Sequence, residues 1–468
     1  MARFPLPSVP SRLIDIEVTG ERRRGAEGAV VVTAGAGASP RSGKAGEVER
    51  VADGDTRWQV GIGEGEPAQW RGAGAALARA AADTARVVQV ELGDADAAQV
   101  AEFTMGALLG GYRFKVGAGV AKPVLRTVRL VTDPAHERVV ERVRVLAAAS
   151  ALARDLANTP SNVKNPEWLA DTAARIAGAV PGLTAAVRDE QWLAAQGFGG
   201  VLAVGGGSVS PPRLIELTYR PRGAVRHLLL VGKGITFDTG GLSVKPADGM
   251  HLMRTDMAGG GAVIAAARAI AELRLPVRVT ALVPAAENHL SGSSYRPGDV
   301  VRHYGGRTAE VANTDAEGRM VMADALAYGA RRFRPDAVVD VATLTGAMKV
   351  ALGLRTGGLF ATDDKLADQI RQAGASVGEA WWRMPLLEAH ADAVRGELAD
   401  VKQAPGGPGG ITAALFLREF TEGLPWAHLD IAGPARAEKP YAEVVAGATG
   451  FAARTLVAFA EAFGTDQA

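Results

Sequence analysis

The sequence predicts an α/β protein built from two α/β/α layered domains, and three observations lead to this. Its 468 residues allow two or three domains. Short apolar runs alternate with amphipathic helical stretches along the chain, which is typical of α/β layers. A turn-rich stretch, residues 158–162, follows a long helical pattern of about 134–156. We therefore predict a smaller N-terminal domain at 1–150 that ends in this linker helix, and a larger domain at 157–468.

Apolar runs place three strands in the first domain, the last of them partly exposed because it carries two arginines. These strands are 29–33, 87–90 and 124–131, with helices expected at 72–85 and 100–109.

The larger domain shows the same alternation more clearly. Its strand candidates are 226–231, 277–283, 337–342, 357–361 and 427–431, and its helices include 260–273, 319–332 and 411–420. Strands this apolar are usually buried on both faces. Ligands of such sheets bind where strands end and loops begin, so functional side chains are expected there.

Composition excludes several classes of site. The chain has no cysteine, so a metal would need oxygen or nitrogen ligands. The formal net charge of +1, from 52 basic and 51 acidic residues, disfavours nucleic acid as the main partner. The amino end lacks a secretory pattern and no uninterrupted apolar run of about 18 residues occurs, which predicts a cytoplasmic protein without a membrane span. No HExxH motif is present, so a histidine-based zinc site is not expected.

Three segments carry charged residues in settings that suggest chemistry. The first, 231–246, contains Lys233, Asp238 and Lys245; the second contains Asp256 just before an apolar helix; the third, 313–319, reads NTDAEGR. Structural roles are possible for each. Asp256 could cap its helix, Asp315 and Glu317 could favour the positive end of the next helix, and Lys233 could be a surface lysine.

Taken together, the segments indicate a metal site. If 315–319 is extended, Asp315, Glu317 and Arg319 point to one side. Neighbouring strands could bring Asp238 and Asp256 to the same sheet edge. Four carboxylates crowded together repel one another unless cations neutralise them. This charge count favours two divalent ions with hard oxygen ligands, and a lysine could join them only as a neutral amine.

At these residues the sequence closely resembles the leucyl aminopeptidase (cytosol aminopeptidase) family, whose signature NTDAEGR is intact. The resemblance covers essentially all of residues 150–465 and is weaker before that. Further matching stretches are 286–300, 338–348, 411–420, 426–435 and 447–451, with GALLGGYRF at 106–114 in the first domain.

The resemblance implies a two-metal aminopeptidase whose larger, catalytic domain has a central mixed sheet flanked by helices. It also implies a macro-like first domain with a role in assembly, a homohexamer, peptide substrates with a free and apolar N-terminal residue, and Mn²⁺ or Zn²⁺ as metal. Position by position, it assigns as metal ligands Lys233, Asp238, Asp256, Asp315 and Glu317. Lys245 and Arg319 match the catalytic pair, with bicarbonate expected on Arg319, and the first side chain of the substrate is expected against Met253, Thr343 and Gly346.

One departure from the family pattern is the run of glycines after Asp256, which bears on substrate preference and loop mobility more than on activity. Two alternatives stay open at this point. One is a structural or DNA-binding descendant, although no ligand position has been lost. The other is a different two-metal hydrolase, such as a carboxypeptidase or phosphoesterase, although the histidines usual in those enzymes are missing.

Overall fold

The computed structural model describes residues 6–33, 43–53, 56–117 and 124–466. The chain forms two compact units. One comprises the residues up to Ala151 together with Ala437–Gly447, and the other comprises Leu152–Arg436 and Ala448–Ala468.

The first unit contains a six-stranded sheet together with helices. Its elements are β1 (Asp15–Thr19), β2 (Glu27–Thr33), β3 (Val48–Asp53), β4 (Thr56–Gly63), α1 (Pro67–Ala81), β5 (Val87–Glu91), α2 (Ala97–Gly110) and β6 (Thr127–Val131). The strand order is β1-β6-β5-β2-β4-β3, and every pair except β3/β4 is parallel. After β6, a 3-10 turn (Pro134–His136) precedes α3 (Glu137–Asn158).

Capping residues fix where helices begin. Glu66 and Gln69 form a capping box with Pro67 in the first turn, so α1 starts at Pro67 and not at residue 72 as predicted. Asp96 and Gln99 do the same for α2. Because these side chains accept the free N–H groups of the first turn, they set the helix start more sharply than hydrophobic periodicity does.

The segment 437–447 corrects the predicted domain boundaries, which placed it in the second domain. In the structure it packs with the first unit. Arg71 in α1 lies 3.6 Å from Glu443, and both side chains are almost fully buried. Arg79 donates to the carbonyl of Ala442 at 2.9 Å. The placement of 437–447 in the first unit involves contacts with α1, which is far away in the sequence, so local sequence patterns do not predict it.

The second unit holds the remaining elements. Its first half contains α4 (Pro166–Gly178), β7 (Leu183–Arg188), α5 (Glu190–Gln196), α6 (Gly199–Gly205), β8 (Arg213–Tyr219), β9 (His227–Gly232), β10 (Gly234–Asp238), a 3-10 helix (Met250–Thr255), α7 (Ala258–Glu272) and β11 (Arg278–Asn288). Its second half contains β12 (Val300–Arg302), β13 (Thr308–Glu310), α8 (Glu317–Phe333), β14 (Ala337–Ala342), α9 (Gly346–Leu352), β15 (Thr356–Ala361), α10 (Asp364–Ser376), β16 (Ala380–Arg383), a 3-10 helix (Glu388–Val394), β17 (Val401–Lys402), α11 (Gly409–Arg418), β18 (Trp426–Asp430), β19 (Arg436–Ala437), β20 (Gly447–Ala448) and α12 (Ala453–Thr465).

The central sheet of this unit has mixed strand directions, as predicted. Its order is β16-β15-β18-β14-β9-β11-β8-β7, with β10 paired to the end of β11. The inner strands β18, β14, β9 and β11 are parallel. The chain leaves β9 toward β11 on one side and leaves β14 toward β15 on the other. Adjacent strands with diverging connections form a topological switch point, where ligands of α/β sheets bind.

Helices cover both faces of this sheet. On one face α7 contacts α4 and α12, and on the other α8 contacts α6 and α11. Alternate residues of β9 face the two layers, since Leu229 and Val231 belong to the core that contains Met320 and Met322 of α8. The α/β/α prediction is therefore confirmed. Within the described ranges, we find no helix with the length and apolar character needed to span a bilayer.

Candidate active site

The carboxyl ends of the inner strands carry the polar side chains singled out in the sequence. Lys233 follows β9, Asp238 ends β10, and Thr343 follows β14. Asp256 comes between the 3-10 helix and α7, and Asp315 and Glu317 lie at the start of α8. The parallel strands end at one edge, so these side chains share the crevice at the switch point.

Lys233 forms the centre of one group. Its Nζ lies 2.8 Å from Oδ2 of Asp256 and 2.7 Å from Oε1 of Glu317, and it donates to the carbonyl of Thr343 at 3.0 Å. Lys233, Asp256 and Glu317 are all buried. The hydroxyl of Thr343 donates to Oδ1 of Asp256 at 2.7 Å, which fixes the orientation of that carboxylate.

Lys245 forms the centre of a second group. Its Nζ lies 2.7 Å from Oδ2 of Asp238 and pairs with Asp315 as well. The other oxygen of Asp238 accepts hydrogen bonds from the amide of Asn288 and the backbone N–H of Gly240, both at 2.8 Å. Each of the two lysines is thus paired with two carboxylates.

The carboxylates of the two groups meet. One ligand oxygen from each of Asp238, Asp315 and Glu317 lies within 4.8 Å of the other two. Burial raises the pKa of Asp238, Asp256 and Asp315, and the charge of Glu317 adds to this effect at Asp238. The protein therefore keeps acidic groups closer together than their mutual repulsion favours.

The pKa values of the two lysines are also raised, but by the neighbouring carboxylates and against the effect of burial. Burial alone would lower the pKa of Lys233, but Asp256, Glu317 and Asp238 outweigh it and raise that pKa. The pKa of Lys245 is raised in the same way, mainly by Asp238. Both lysines are therefore ammonium ions in this arrangement, and each offsets part of the acidic charge.

Arg319 lies deeper in α8 and is buried. It donates to the backbone carbonyl of Gln403 at 2.7 Å, while its Nε has no hydrogen-bond partner among the described residues. Burial lowers its pKa to about 10, against the opposing charges of Glu317 and Asp430. A buried guanidinium with a free N–H is suited to binding an anion.

All of these groups line a single cavity of about 550 Å³. Met253, Thr343 and Gly346 line it as well, together with a glycine-rich stretch at 406–409. The cavity therefore combines a charged floor with a partly apolar wall, and it has room for a peptide end.

Comparisons with known proteins agree with this geometry. The sequence profile of the Cytosol aminopeptidase family, catalytic domain, matches residues 151–457. A probable cytosol aminopeptidase from Leifsonia xyli subsp. xyli is 43% identical, over 96% of each chain. One from Roseiflexus castenholzii is 47% identical over 76% of this chain and 75% of its own. The chain belongs to the cytosol aminopeptidase family. It is a metal-dependent aminopeptidase, a hydrolase that acts on peptide bonds.

A solved structure of an aminopeptidase-like fold extends the comparison to three dimensions. The bottromycin maturation enzyme BotP in complex with Mn superposes with a TM-score of 0.88 at 41% identity, over 94% of this chain and 100% of that one. A second structure of BotP gives a TM-score of 0.88 at 40% identity. The fold of both units of the aminopeptidase thus has a counterpart in a solved enzyme.

One detail of the predicted aminopeptidase site needs correction, and the alternative role considered for Asp256 is not observed. Residues 315–319 are not one extended stretch, because α8 begins at Glu317 and Arg319 is helical. The three side chains still line one cavity because Asp315 precedes the helix while the other two occupy its first turn. Asp256 does not cap α7, which starts at Ala258 with Met257 before it. Its carboxylate is instead paired with Lys233.

The structure adds residues that sequence reasoning missed. Asn288, at the carboxyl end of β11, donates to Asp238 and to the carbonyl of Thr314. Gln403 bonds to the backbone of 312, 313 and 316 and so holds the loop that carries Asp315. A polar residue at the end of a buried strand was the available signal for Asn288. Gln403 gave none, because its partners are about 90 residues away in the chain.

Proposed function

We propose that this aminopeptidase removes the first residue from peptides with a free amino terminus and prefers an apolar, leucine-like residue there. The observation that carries the proposal is the cluster of four carboxylates and two lysines in one cavity of the switch-point crevice. Met253 and the residues 343–347, which include Leu344 and Ala347, line the same cavity and suit an apolar first side chain.

The cluster fits a pair of divalent ions. Oδ2 of Asp256 and Oε1 of Glu317 are buried and accept no hydrogen bond from the described residues, and each lies at ion-pair distance from Lys233 Nζ. We propose as ligands Lys233, Asp238, Asp256, Asp315 and Glu317. This oxygen-rich set suits Mn²⁺, the ion named for BotP, and Zn²⁺ is the second candidate. Because carboxylates raise the pKa of Lys233, metal binding there would release its proton.

The chemistry supplied by a bound pair of ions is activation of water for attack on the first peptide carbonyl near neutral pH. Lys245, whose ammonium is held between Asp238 and Asp315, is placed to stabilise negative charge on the carbonyl oxygen during that attack. Arg319 offers its free Nε–H to a bicarbonate ion, which would accept the water proton and pass it to the leaving amine.

Removing the metal tests the proposal. The untreated protein should hydrolyse a leucyl peptide with a free amino group and leave its acetyl-blocked form intact, because only the free amine can be bound. Chelation should abolish activity and Mn²⁺ or Zn²⁺ should restore it. Equal cleavage of the blocked peptide, or activity that survives complete removal of metal, would refute the proposal.

Lys245 gives a second test within the same assay. We expect Lys245→Ala to lower kcat sharply while the protein keeps its full metal content, because Lys245 is assigned to the carbonyl oxygen and not to the metal. A matched control is Lys402→Ala, a lysine outside the cavity that faces Glu397 at 4.0 Å. Loss of metal from the Lys245 variant would instead make Lys245 part of the metal-binding set.

Assembly and location are proposals of the same standing. The family resemblance supports a homohexamer in which the first unit contributes to assembly, and a native mass near six chains in solution would test it. The name of the relatives supports a cytoplasmic location, which cell fractionation would test.

A further inference from the structure

The cavity has a second charged feature, which the proposed mechanism does not use. Lys349 belongs to α9, three residues after Gly346, so both residues lie on one face of the helix. Lys349 lines the cavity, is exposed, and has no acidic partner among the described residues. The four carboxylates of the cavity are already paired with Lys233 or Lys245.

Lys349 is presented by a fixed support. Asp430 accepts hydrogen bonds from the N–H groups of Leu344 and Thr345, at 3.2 and 3.0 Å, and from the hydroxyl of Thr345 at 2.7 Å. Met348, next to Lys349, is buried. These contacts hold the start of α9 against the sheet, so the backbone of Lys349 has a fixed position while its side chain is exposed.

A second cationic side chain, that of Arg436, lines the same cavity. Arg436 lies at the end of a segment that passes close to α9, since a Cβ on Gly433 would lie 3.7 Å from the Cα of Lys349. Three glycines of the stretch 406–409 also line the cavity, and Gly409 lies beside α9, where a Cβ on it would lie 3.6 Å from the Cβ of Ala347. The region around Lys349 therefore combines positive charge with room for a peptide chain.

We propose that Lys349, supported by Arg436, binds a carboxylate carried by the part of the peptide that follows the N-terminal residue. The carboxylate is either an acidic side chain at the second position or the C-terminal carboxylate of a very short peptide. This inference rests on the proposed aminopeptidase function and adds a substrate class to it. The class consists of peptides with an apolar N-terminal residue followed by a part that carries a carboxylate.

Two pairs of substrates separate the two sources of the carboxylate. Leucyl-aspartate amide against leucyl-asparagine amide tests the side chain, and leucyl-alanine against leucyl-alanine amide tests the terminal carboxylate. We expect the untreated enzyme to favour the anionic member of at least one pair in kcat/KM by about two- to fivefold, the range of an exposed ion pair. Lys349→Met should bring that ratio to about one, and Lys349→Glu should invert it. About 0.5 M salt should weaken the preference.

Lys365→Met is the matched control, because Lys365 is an exposed lysine of α10 outside the cavity and should leave the ratios unchanged. Equal kcat/KM within both pairs, unaffected by Lys349→Met, would overturn the carboxylate subsite and leave the aminopeptidase function standing. Failure to cleave any of the four peptides, with metal bound, would instead overturn the proposed function and the subsite with it.

Discussion

Replacing Thr343 with valine removes the hydrogen bonds that its hydroxyl donates to the side chain and the backbone carbonyl of Asp256, and little else. The Thr343 hydroxyl donates to Oδ1 of Asp256 at 2.7 Å, and valine keeps the size and branching of the side chain. The backbone carbonyl of Thr343, which accepts from Lys233 at 3.0 Å, is untouched. The variant therefore tests whether orientation of the Asp256 carboxylate matters to metal binding.

The expected magnitude follows from the charge on the acceptor. A hydrogen bond to an ionised group contributes about 1.5–3 kcal/mol, and about 1.4 kcal/mol is a tenfold change in a dissociation constant. Residues that orient metal ligands typically change metal affinity by about 10- to 100-fold. We expect Thr343→Val to raise the Mn²⁺ dissociation constant within that range.

The assay is a metal titration without substrate, by calorimetry or competition with a chelator, because Thr343 also lines the cavity and would affect turnover directly. Thr343→Ser is the matched control: it keeps the hydroxyl and should bind metal within about threefold of the original protein. A valine variant that binds Mn²⁺ as tightly as the original protein would refute the reasoning. So would a serine variant that loses as much affinity as the valine variant.

Three further variants test contacts elsewhere in the second unit. Gly318→Ala should lose metal and activity by at least about tenfold although alanine favours helix, because its Cβ would lie 2.6 Å from Cε of Lys233; metal content and circular dichroism would check this. Lys164→Met should lower the free energy of unfolding by about 2–5 kcal/mol, because the buried amino group of Lys164 donates at 2.6–2.9 Å to the backbone carbonyls of Leu156, Ala157 and Arg254, which methionine would leave without that partner; equal melting temperatures would contradict it. Burial lowers the pKa of His227 to about 4, below its unfolded value of about 6.5. The stability that neutral His227 contributes to the folded protein is therefore intact above pH 6.5 and is lost as pH falls toward 4. His227→Gln should flatten stability measured over that window, and an unchanged pH profile would show that His227 is not the group responsible.

Much of the site could be predicted because its chemistry is local in sequence. Each proposed ligand lies within two residues of the end of a strand or the start of a helix, and apolar patterning locates those boundaries within a few residues. The parallel arrangement of the inner strands then brings the boundaries to one edge. The sheet therefore brings residues that are far apart in the sequence into one cavity. In the structure, Asp238, Asp256 and Glu317 all line that cavity.

What could not be predicted depends on exact backbone conformation or on distant partners. Alternation of side chains assumes an extended chain, and it failed at Glu317 because the helix starts there. The competing interpretation, an acidic residue in the first helical turn, describes its position correctly. Both apply, since Glu317 can favour the helix end and face Lys233 at 2.7 Å. Support by Gln403 depends on a contact across the fold, for which periodicity carries no information.

The run of glycines after Asp256, which the sequence linked to loop mobility, has a different role in the structure. Residues 259–261 are buried within α7. A Cβ on Gly259 would lie 2.1 Å from the carbonyl oxygen of Val341, and one on Gly260 would lie 2.9 Å from that of Lys233. The N–H of Gly260 donates to that carbonyl of Lys233 at 2.8 Å. A glycine within a helix lowers stability by about 1 kcal/mol relative to alanine. In α7 the absence of side chains at these positions allows the helix to begin directly against the ends of β9 and β14. Side chains in the run would push the helix outward and carry Asp256 away from Lys233, so the proposed metal site depends on residues that have no side chain to contribute.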